Sequence, residues 1–173
     1  MTHPHRFAGL LACLLAAATT ACSAATPVPA ATAAADTPTA SSPAARLPAM
    51  TVHKHASCGC CNVWIEHMRE AGFVVRTRDV PDMSPVKDAA GVPDAMASCH
   101  TAQVGGYFIE GHVPAEDVLR LLRERPDARG LAVPGMPVGS PGMEHPDGIV
   151  QPYAVHLVLA DGSTREFSHH GAR

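Results

Sequence analysis

Four cysteines stand out as the residues that could do chemistry. Three of them lie within four positions, as Cys58, Cys60 and Cys61, and a fourth follows further along the chain as Cys99. Packing seldom needs such a concentration of thiols, because a buried free Cys acts as little more than a small apolar side chain. Thiolates bind soft metal ions and take part in disulfide exchange. The spacing therefore predicts one of these two chemistries.

The adjacency of Cys60 and Cys61 bears on the metal chemistry. Aiming both side chains at one tetrahedral ion strains the backbone, whereas bridging different ions in a small cluster relieves that constraint. Cu(I) prefers two or three soft ligands, and thiolate sulfur can bridge two such ions. Four thiolates around several monovalent ions also leave little net charge to bury. The pattern therefore favours more than one Cu(I), held by Cys58, Cys60, Cys61 and Cys99.

Further donors occur near the cysteines in the sequence or on a constrained loop. Met136 and Met143 stand in a Gly/Pro-rich segment and offer thioether sulfur, while His100 and His112 offer imidazole nitrogen. The ordinary explanation for a Met is that it fills a gap in the core, and a lone His is more often a surface or hydrogen-bonded residue. Because the four side chains nevertheless carry donors that suit copper, we predict them as candidate auxiliary metal ligands beside the cysteines.

Two other chemistries stay open for the same residues. Cys58 and Cys61 form a C-x-x-C pair, the spacing of a thiol–disulfide oxidoreductase, and an exported protein meets oxidising conditions. Against this, Cys60 would offer competing disulfides. A zinc site made of all four cysteines is the other alternative, although structural zinc usually uses two separated chelating pairs. A combined function, in which the reduced cluster loads copper and oxidation releases it, also stays open.

Residues 1–22 have the pattern of an export signal. A short stretch containing Arg6 precedes an apolar run over 7–18, which is too short to cross a bilayer as a helix. Cys22 stands where a bacterial lipoprotein is cleaved and acylated, but Thr19 occupies a position where Leu is usual. We therefore expect a periplasmic protein, and lipidation at Cys22 and plain secretion both stay open.

The remaining composition defines a linker and one domain. Residues 23–49 are built mainly from Ala, Thr, Pro and Ser without helical or strand periodicity, which predicts a disordered linker. Residues 50–173 are enough for a compact domain with its own core. The chain has 13 basic and 16 acidic residues and no basic run, which argues against nucleic acid as a partner.

The elements that must position the cysteines alternate along this domain. The patterns predict strands over 51–55, 73–80, 101–104 and 107–110, helices over 61–71, over 84–90 and from Pro114 onward, and a C-terminal hairpin of strands 153–160 and 164–167. A Gly/Pro-rich loop over 131–142 precedes the hairpin. This order predicts a single thioredoxin-like α/β domain with that loop and hairpin as a C-terminal extension. The first strand would then deliver the Cys turn to a helix N-terminus, where the helix dipole favours thiolate.

Four motifs support a resemblance to a known family. They are CGCCNVW (58–64), SCHTA (98–102), EGHVP (110–114) and GLAVPGMPVGSPGME (130–144). With these motifs, residues 51–169 resemble small bacterial periplasmic metal-binding proteins that include the CopG copper-resistance proteins. The resemblance implies a thioredoxin-like fold and a cysteine-bridged Cu(I) site at Cys58, Cys60, Cys61 and Cys99. It also implies periplasmic copper chaperones or efflux components as candidate protein partners.

We therefore predict an exported Cu(I)-binding protein that sequesters or passes on copper. A thiol–disulfide oxidoreductase that uses Cys58 and Cys61 is the alternative function. Contact with a membrane is expected only through a lipid at Cys22. Trp64 is expected to pack in the core on the helix behind the Cys turn, where it shields the site from water.

Overall fold

The structure, a computed structural model, describes residues 46–172. The predicted export signal over 1–22, with Cys22, and all but the end of the predicted linker over 23–49 lie outside the described residues. Within the described range, no helix has the length and apolar character needed to cross a membrane.

Seven strands and three α-helices make up the described chain. In chain order they are β1 (Met50–Lys54), α1 (Gly59–Glu70), β2 (Val75–Asp79), α2 (Ser84–Ala90), β3 (His100–Val104), β4 (Tyr107–Glu110), α3 (Ala115–Glu124), β5 (Gly130–Ala132), β6 (Tyr153–Val158) and β7 (Thr164–His170). All strands belong to one sheet with the order β2-β1-β3-β4-β5-β6-β7. The β1/β2 and β4/β5 pairs are parallel and the others are antiparallel, so the fold is a mixed α/β domain.

The predicted elements occur in the predicted order, and the C-terminal hairpin of β6 and β7 is confirmed. The first helix begins at Gly59, two residues before its predicted start, because the Cys turn itself enters the helix. One strand was missed. β5 occupies Gly130–Ala132 at the beginning of the segment predicted to be a loop. Its three residues are buried between β4 and β6, so pairing across the sheet, not local periodicity, makes this segment a strand.

Most of the core lies on one face of the sheet, under α1 and α3. Alternate residues of β1, Met50 and Val52, are fully buried there against the apolar residues of α1. Trp64 on α1 is fully buried, as expected, and its Nε1 donates a hydrogen bond of 2.9 Å to the carbonyl of Val113. A smaller apolar cluster that includes Phe108 and Val158 covers the other face. The helix that carries the cysteines is thus firmly fixed to the central strands.

Candidate metal centre

The turn after β1 delivers three cysteines to the start of α1. The N–H of Cys58 donates a hydrogen bond of 3.0 Å to the carbonyl of His55, and Cys58 occupies the N-cap position with an extended backbone. Cys60 and Cys61 then lie in the first turn of the helix. The first N–H groups of a helix have no intrahelical partner, and the positive end of the helix dipole favours negative charge there. This placement suits thiolates, as the sequence predicted.

Sheet pairing brings the fourth cysteine to the same place. β1 and β3 are antiparallel neighbours, and Lys54 at the end of β1 pairs with His100 at the start of β3. Cys99, directly before β3, therefore lies beside the Cys turn. The sulfur atoms of Cys58, Cys60, Cys61 and Cys99 all lie within 4.8 Å of one another. The structure thus brings together the four cysteines that were predicted as metal ligands.

The four sulfur atoms are not in the same chemical state. A disulfide joins Cys58 to Cys61, whose Cα atoms are 5.4 Å apart, whereas Cys60 and Cys99 are free. The sulfur of Cys60 lies 3.6 Å from that of Cys58. Cys61 is buried and the other three cysteines are half-buried. The arrangement can therefore undergo thiol–disulfide chemistry, and in its reduced form it presents four thiols to a metal ion.

His112 presents a defined nitrogen to this cluster. Its Nδ1 lies 2.8 Å from the carbonyl oxygen of Pro141, and its Nε2 lies 3.0 Å from the sulfur of Cys99. A carbonyl oxygen can only accept a hydrogen bond, so Nδ1 carries the proton and the lone pair of Nε2 faces the sulfur. Burial lowers the pKa of His112, which favours this neutral form.

His100 also contacts Cys99. Its Nδ1 lies 3.4 Å from the Cys99 sulfur, and its ring centroid is 4.4 Å from that of Trp64. The side chain is fully buried, yet Nε2 has no hydrogen-bond partner among the described residues. Burial holds the pKa of His100 well below its usual value, and the ammonium of Lys87 and any protonation of His112 would lower it further by repulsion. Both imidazoles are therefore neutral near pH 7 and able to bind a metal ion.

The thiol of Cys99 resists ionisation. Burial, reinforced by the nearby Cys60, raises the pKa of Cys99 to about 11. The thiol can donate its proton to the Nε2 lone pair of His112, which gives a neutral thiol–imidazole pair. A metal ion that binds Cys99 must displace this proton.

The loop over 134–144 closes against the site. Gly142 has a φ of +87°, and a Cβ at this position would lie 2.6 Å from the carbonyl oxygen of Cys60. The N–H of Gly142 donates to Glu144, whose Oε1 also lies 2.6 Å from Nε2 of His67 on α1. Although burial opposes it, these two contacts lower the pKa of Glu144, so its carboxylate holds the loop to the helix.

The two predicted methionine ligands lie on this loop. Met136 is half exposed, at 52 %, and follows Gly135, whose carbonyl accepts a hydrogen bond from the hydroxyl of Ser98. Met143 is partly buried and follows Gly142, the residue that packs against Cys60. Both methionines thus stand one residue from a contact with a cysteine-bearing segment, and their role as ligands stays a prediction.

The sequence reasoning missed a buried carboxylate that fixes the Cys99 segment. Glu110 is fully buried, and its Oε1 accepts hydrogen bonds from the N–H of Ser98, at 2.6 Å, and from the ammonium of Lys87. Its Oε2 accepts a hydrogen bond of 2.6 Å from the hydroxyl of Thr101. A charged residue at the end of the apolar run Tyr107–Glu110 was the available signal, because a buried carboxylate needs partners.

This fold and site define a mixed α/β domain with a cysteine cluster able to hold metal ions. The model of a family described as "Protein of unknown function, DUF411" matches residues 96–143, a segment that contains Cys99 and His112. Two solved structures, "Copper resistance protein copG- Form 1" and "Form 2", are each 48 % identical to the chain, with a TM-score of 0.69. They cover 73 % and 72 % of this chain, which in turn covers 99 % of each. A comparison with curated proteins found no match.

The chain therefore belongs to the CopG-type family of copper-resistance proteins. This confirms the resemblance that the four sequence motifs indicated.

Proposed function

We propose that this protein binds Cu(I) through Cys58, Cys60, Cys61 and Cys99, and that it sequesters copper or passes it on. The observation that carries the proposal is the convergence of four sulfur atoms within 4.8 Å of one another. The relatives of known structure are described as copper-resistance proteins, which supports copper as the ion. Thiolate sulfur also suits Cu(I) better than it suits the hard ions Mg²⁺ and Ca²⁺.

The same positions support a cluster of more than one ion. Cys60 and Cys61 follow each other in the first turn of α1, where successive side chains point in directions about 100° apart. Each of them can serve a different ion, and a sulfur such as that of Cys58, 3.6 Å from Cys60, can bridge two. The neutral imidazole of His112, fixed by the Pro141 carbonyl, is the best placed of the auxiliary donors.

The Cys58–Cys61 disulfide supports a link between redox state and copper binding. While the bond is intact, two of the four thiolates are withdrawn from the cluster. Two electrons and two protons from a dithiol reductant convert the disulfide into two thiols and restore the full ligand set. Oxidation of the pair would release copper, and thiol–disulfide oxidoreductase activity remains the second candidate function.

Location and fold class complete the proposal. The export signal predicted over 1–22 supports a periplasmic location, either as a secreted protein or with a lipid at Cys22 as its attachment to a membrane. The strand order β2-β1-β3-β4 and the C-x-x-C pair at the start of α1 support assignment to the thioredoxin-like class. Copper chaperones or efflux components of the same compartment are the expected protein partners.

An anaerobic Cu(I) titration against a competing chelator tests the function. The full chain would carry Cys13→Ser and Cys22→Ser, so that the four site cysteines are its only thiols, and would be reduced beforehand. We expect more than one copper per chain and protection of all four thiols from alkylation. Cys61→Ser should remove most of this capacity while leaving the circular dichroism spectrum unchanged. Weak binding by the reduced chain, together with a readily cycled Cys58–Cys61 disulfide, would instead establish the oxidoreductase.

A further inference from the structure

We propose that Cys99, His100 and His112 form a second metal site, which takes one divalent ion of borderline softness such as Zn²⁺. This site is complete while Cys58 and Cys61 are joined by their disulfide. It takes a different ion from the cysteine cluster, with which it shares Cys99, and it uses as full ligands the imidazoles that are only auxiliary donors to that cluster. The proposal does not require the protein to bind Cu(I).

The distances between the three side chains are close to those of a zinc site. In tetrahedral coordination, a Zn–S bond of about 2.3 Å and a Zn–N bond of about 2.0–2.1 Å set sulfur and nitrogen about 3.5 Å apart. The Cys99 sulfur lies 3.0 Å from Nε2 of His112 and 3.4 Å from Nδ1 of His100. Ligand atoms from all three residues lie within 4.8 Å of one another. An ion therefore fits after small side-chain movements.

The supporting hydrogen bond of His112 is that of a metal ligand. A ligating imidazole usually donates its other N–H to a carboxylate or a backbone carbonyl, which fixes the tautomer and the orientation of the ring. The Pro141 carbonyl does this for His112 at 2.8 Å, while Nε2 faces the site. Pro141 is held in turn by the close approach of Gly142 to Cys60.

His100 offers one nitrogen to the site. Its Nδ1 lies 3.4 Å from the sulfur of Cys99, and the fully buried ring packs against Trp64. The nearby ammonium of Lys87 contacts the buried Glu110, so a carboxylate offsets the cation that would otherwise repel a metal ion.

The donor set selects a different ion from that of the cysteine cluster. Two imidazoles and one thiolate are ligands that zinc uses in mixed Cys/His sites, whereas four clustered thiolates suit Cu(I). Three protein ligands also leave the fourth tetrahedral position open to water or to another donor. The protein would therefore have a divalent-ion site in its disulfide-bonded state and a Cu(I) site in its reduced state.

Titration of the disulfide-bonded chain with Co²⁺, followed by competition with Zn²⁺, tests this site. The chain would again carry Cys13→Ser and Cys22→Ser, and a thiol count of two would verify that the disulfide is intact. We expect one Co²⁺ per chain, a sulfur-to-cobalt charge-transfer band, and displacement of Co²⁺ by Zn²⁺. His112→Ala should weaken Co²⁺ binding at least tenfold, and Cys99→Ser should abolish the charge-transfer band. His156→Ala, on β6, serves as the matched histidine control and should leave both unchanged.

Two results would overturn the proposal. One is the absence of stoichiometric Co²⁺ binding. The other is Co²⁺ binding of equal strength in the His112→Ala chain, which would indicate adventitious sites on surface histidines. Thermal unfolding of each variant identifies any loss of fold. If His112→Ala prevents folding, His112→Gln provides the same test, because it also removes the imidazole. Cu(I) titration of the same reduced variants keeps the two proposals apart, since failure of one binding reaction leaves the other measurable.

Discussion

Cys99 lies close both to the other cysteine sulfur atoms and to imidazole nitrogen. Its sulfur belongs to the group formed with Cys58, Cys60 and Cys61, and it also lies within hydrogen-bonding distance of His112. Because burial and the nearby Cys60 both disfavour the thiolate, ionisation of this thiol is costly, and a metal ion that binds it must supply the driving force. This one residue therefore connects the two ligand sets of the site.

The raised pKa of Cys99 predicts the pH dependence of its alkylation. The thiolate is the reactive form, and a pKa of about 11, above the ordinary 9.0, leaves the thiol protonated at neutral pH. In the metal-free, disulfide-bonded protein, the rate of reaction with iodoacetamide should rise about tenfold per pH unit between pH 8 and 10 and should continue to rise beyond pH 10. Peptide mass spectrometry would measure the rate at Cys99 separately from that at Cys60.

The denatured chain provides the comparison for this rate. There the thiol has its ordinary pKa, so its rate should level off at a lower pH than in the folded protein. A plateau for folded Cys99 at or below the plateau of the denatured chain would contradict the raised pKa.

At the scale of elements, the loop over 134–144 completes the site by approaching α1 more closely than a side chain would allow. A Cβ on Gly142 would lie 2.6 Å from the carbonyl oxygen of Cys60 and 3.0 Å from the backbone nitrogen of Trp64. Gly142→Ala should therefore destabilise the fold by about 2–4 kcal/mol, from backbone strain and from displacement of the loop. It should also weaken Cu(I) binding, because the Pro141 carbonyl would move away from His112. Denaturant unfolding and Cu(I) competition would measure the two effects.

Gly148→Ala is the matched control for this prediction. Gly148 has a similar positive φ of +70°, but a Cβ there meets no atom within 4 Å. This substitution should cost only about 1–2 kcal/mol of backbone strain and leave Cu(I) affinity unchanged. Equal losses of stability in the two variants would show that the close contact with Cys60 has no energetic importance.

The elements also show how far the sequence could predict this site. The apolar periodicity of α1 and the thiol spacing lie within a short segment, so the Cys turn at a helix start was predictable. The contact between His112 and Pro141 joins residues 29 positions apart, and the ion pair between Lys87 and Glu110 joins residues 23 apart. Such contacts depend on the sheet order and on the path of a Gly/Pro-rich loop. Local patterns therefore yielded candidate ligands but not the hydrogen bonds that orient them.

At the scale of the whole molecule, the site joins segments that are far apart in the chain. Four segments contribute to it: the turn after β1, the segment before β3, His112 just after β4, and the loop over 134–144. The unfolded chain does not hold these segments together. A metal ion that needs all of them therefore binds the native state in preference and stabilises it.

This coupling predicts a redox-dependent effect of copper on thermal stability. A ligand at a thousand times its dissociation constant stabilises the native state by about 4 kcal/mol, an upper value here because unfolded thiols also bind Cu(I). For a domain of this size, the melting temperature of the reduced chain should rise by roughly 10 °C. In the disulfide-bonded chain Cu(I) should raise it by less than about 3 °C, because two of the four sulfur ligands are withdrawn. Anaerobic calorimetry would measure both shifts, and a Cu(I) chelator should return the reduced chain to its metal-free melting temperature. Equal shifts in the two redox states would mean that Cys58 and Cys61 do not hold the metal, and the cluster would have to be built without them.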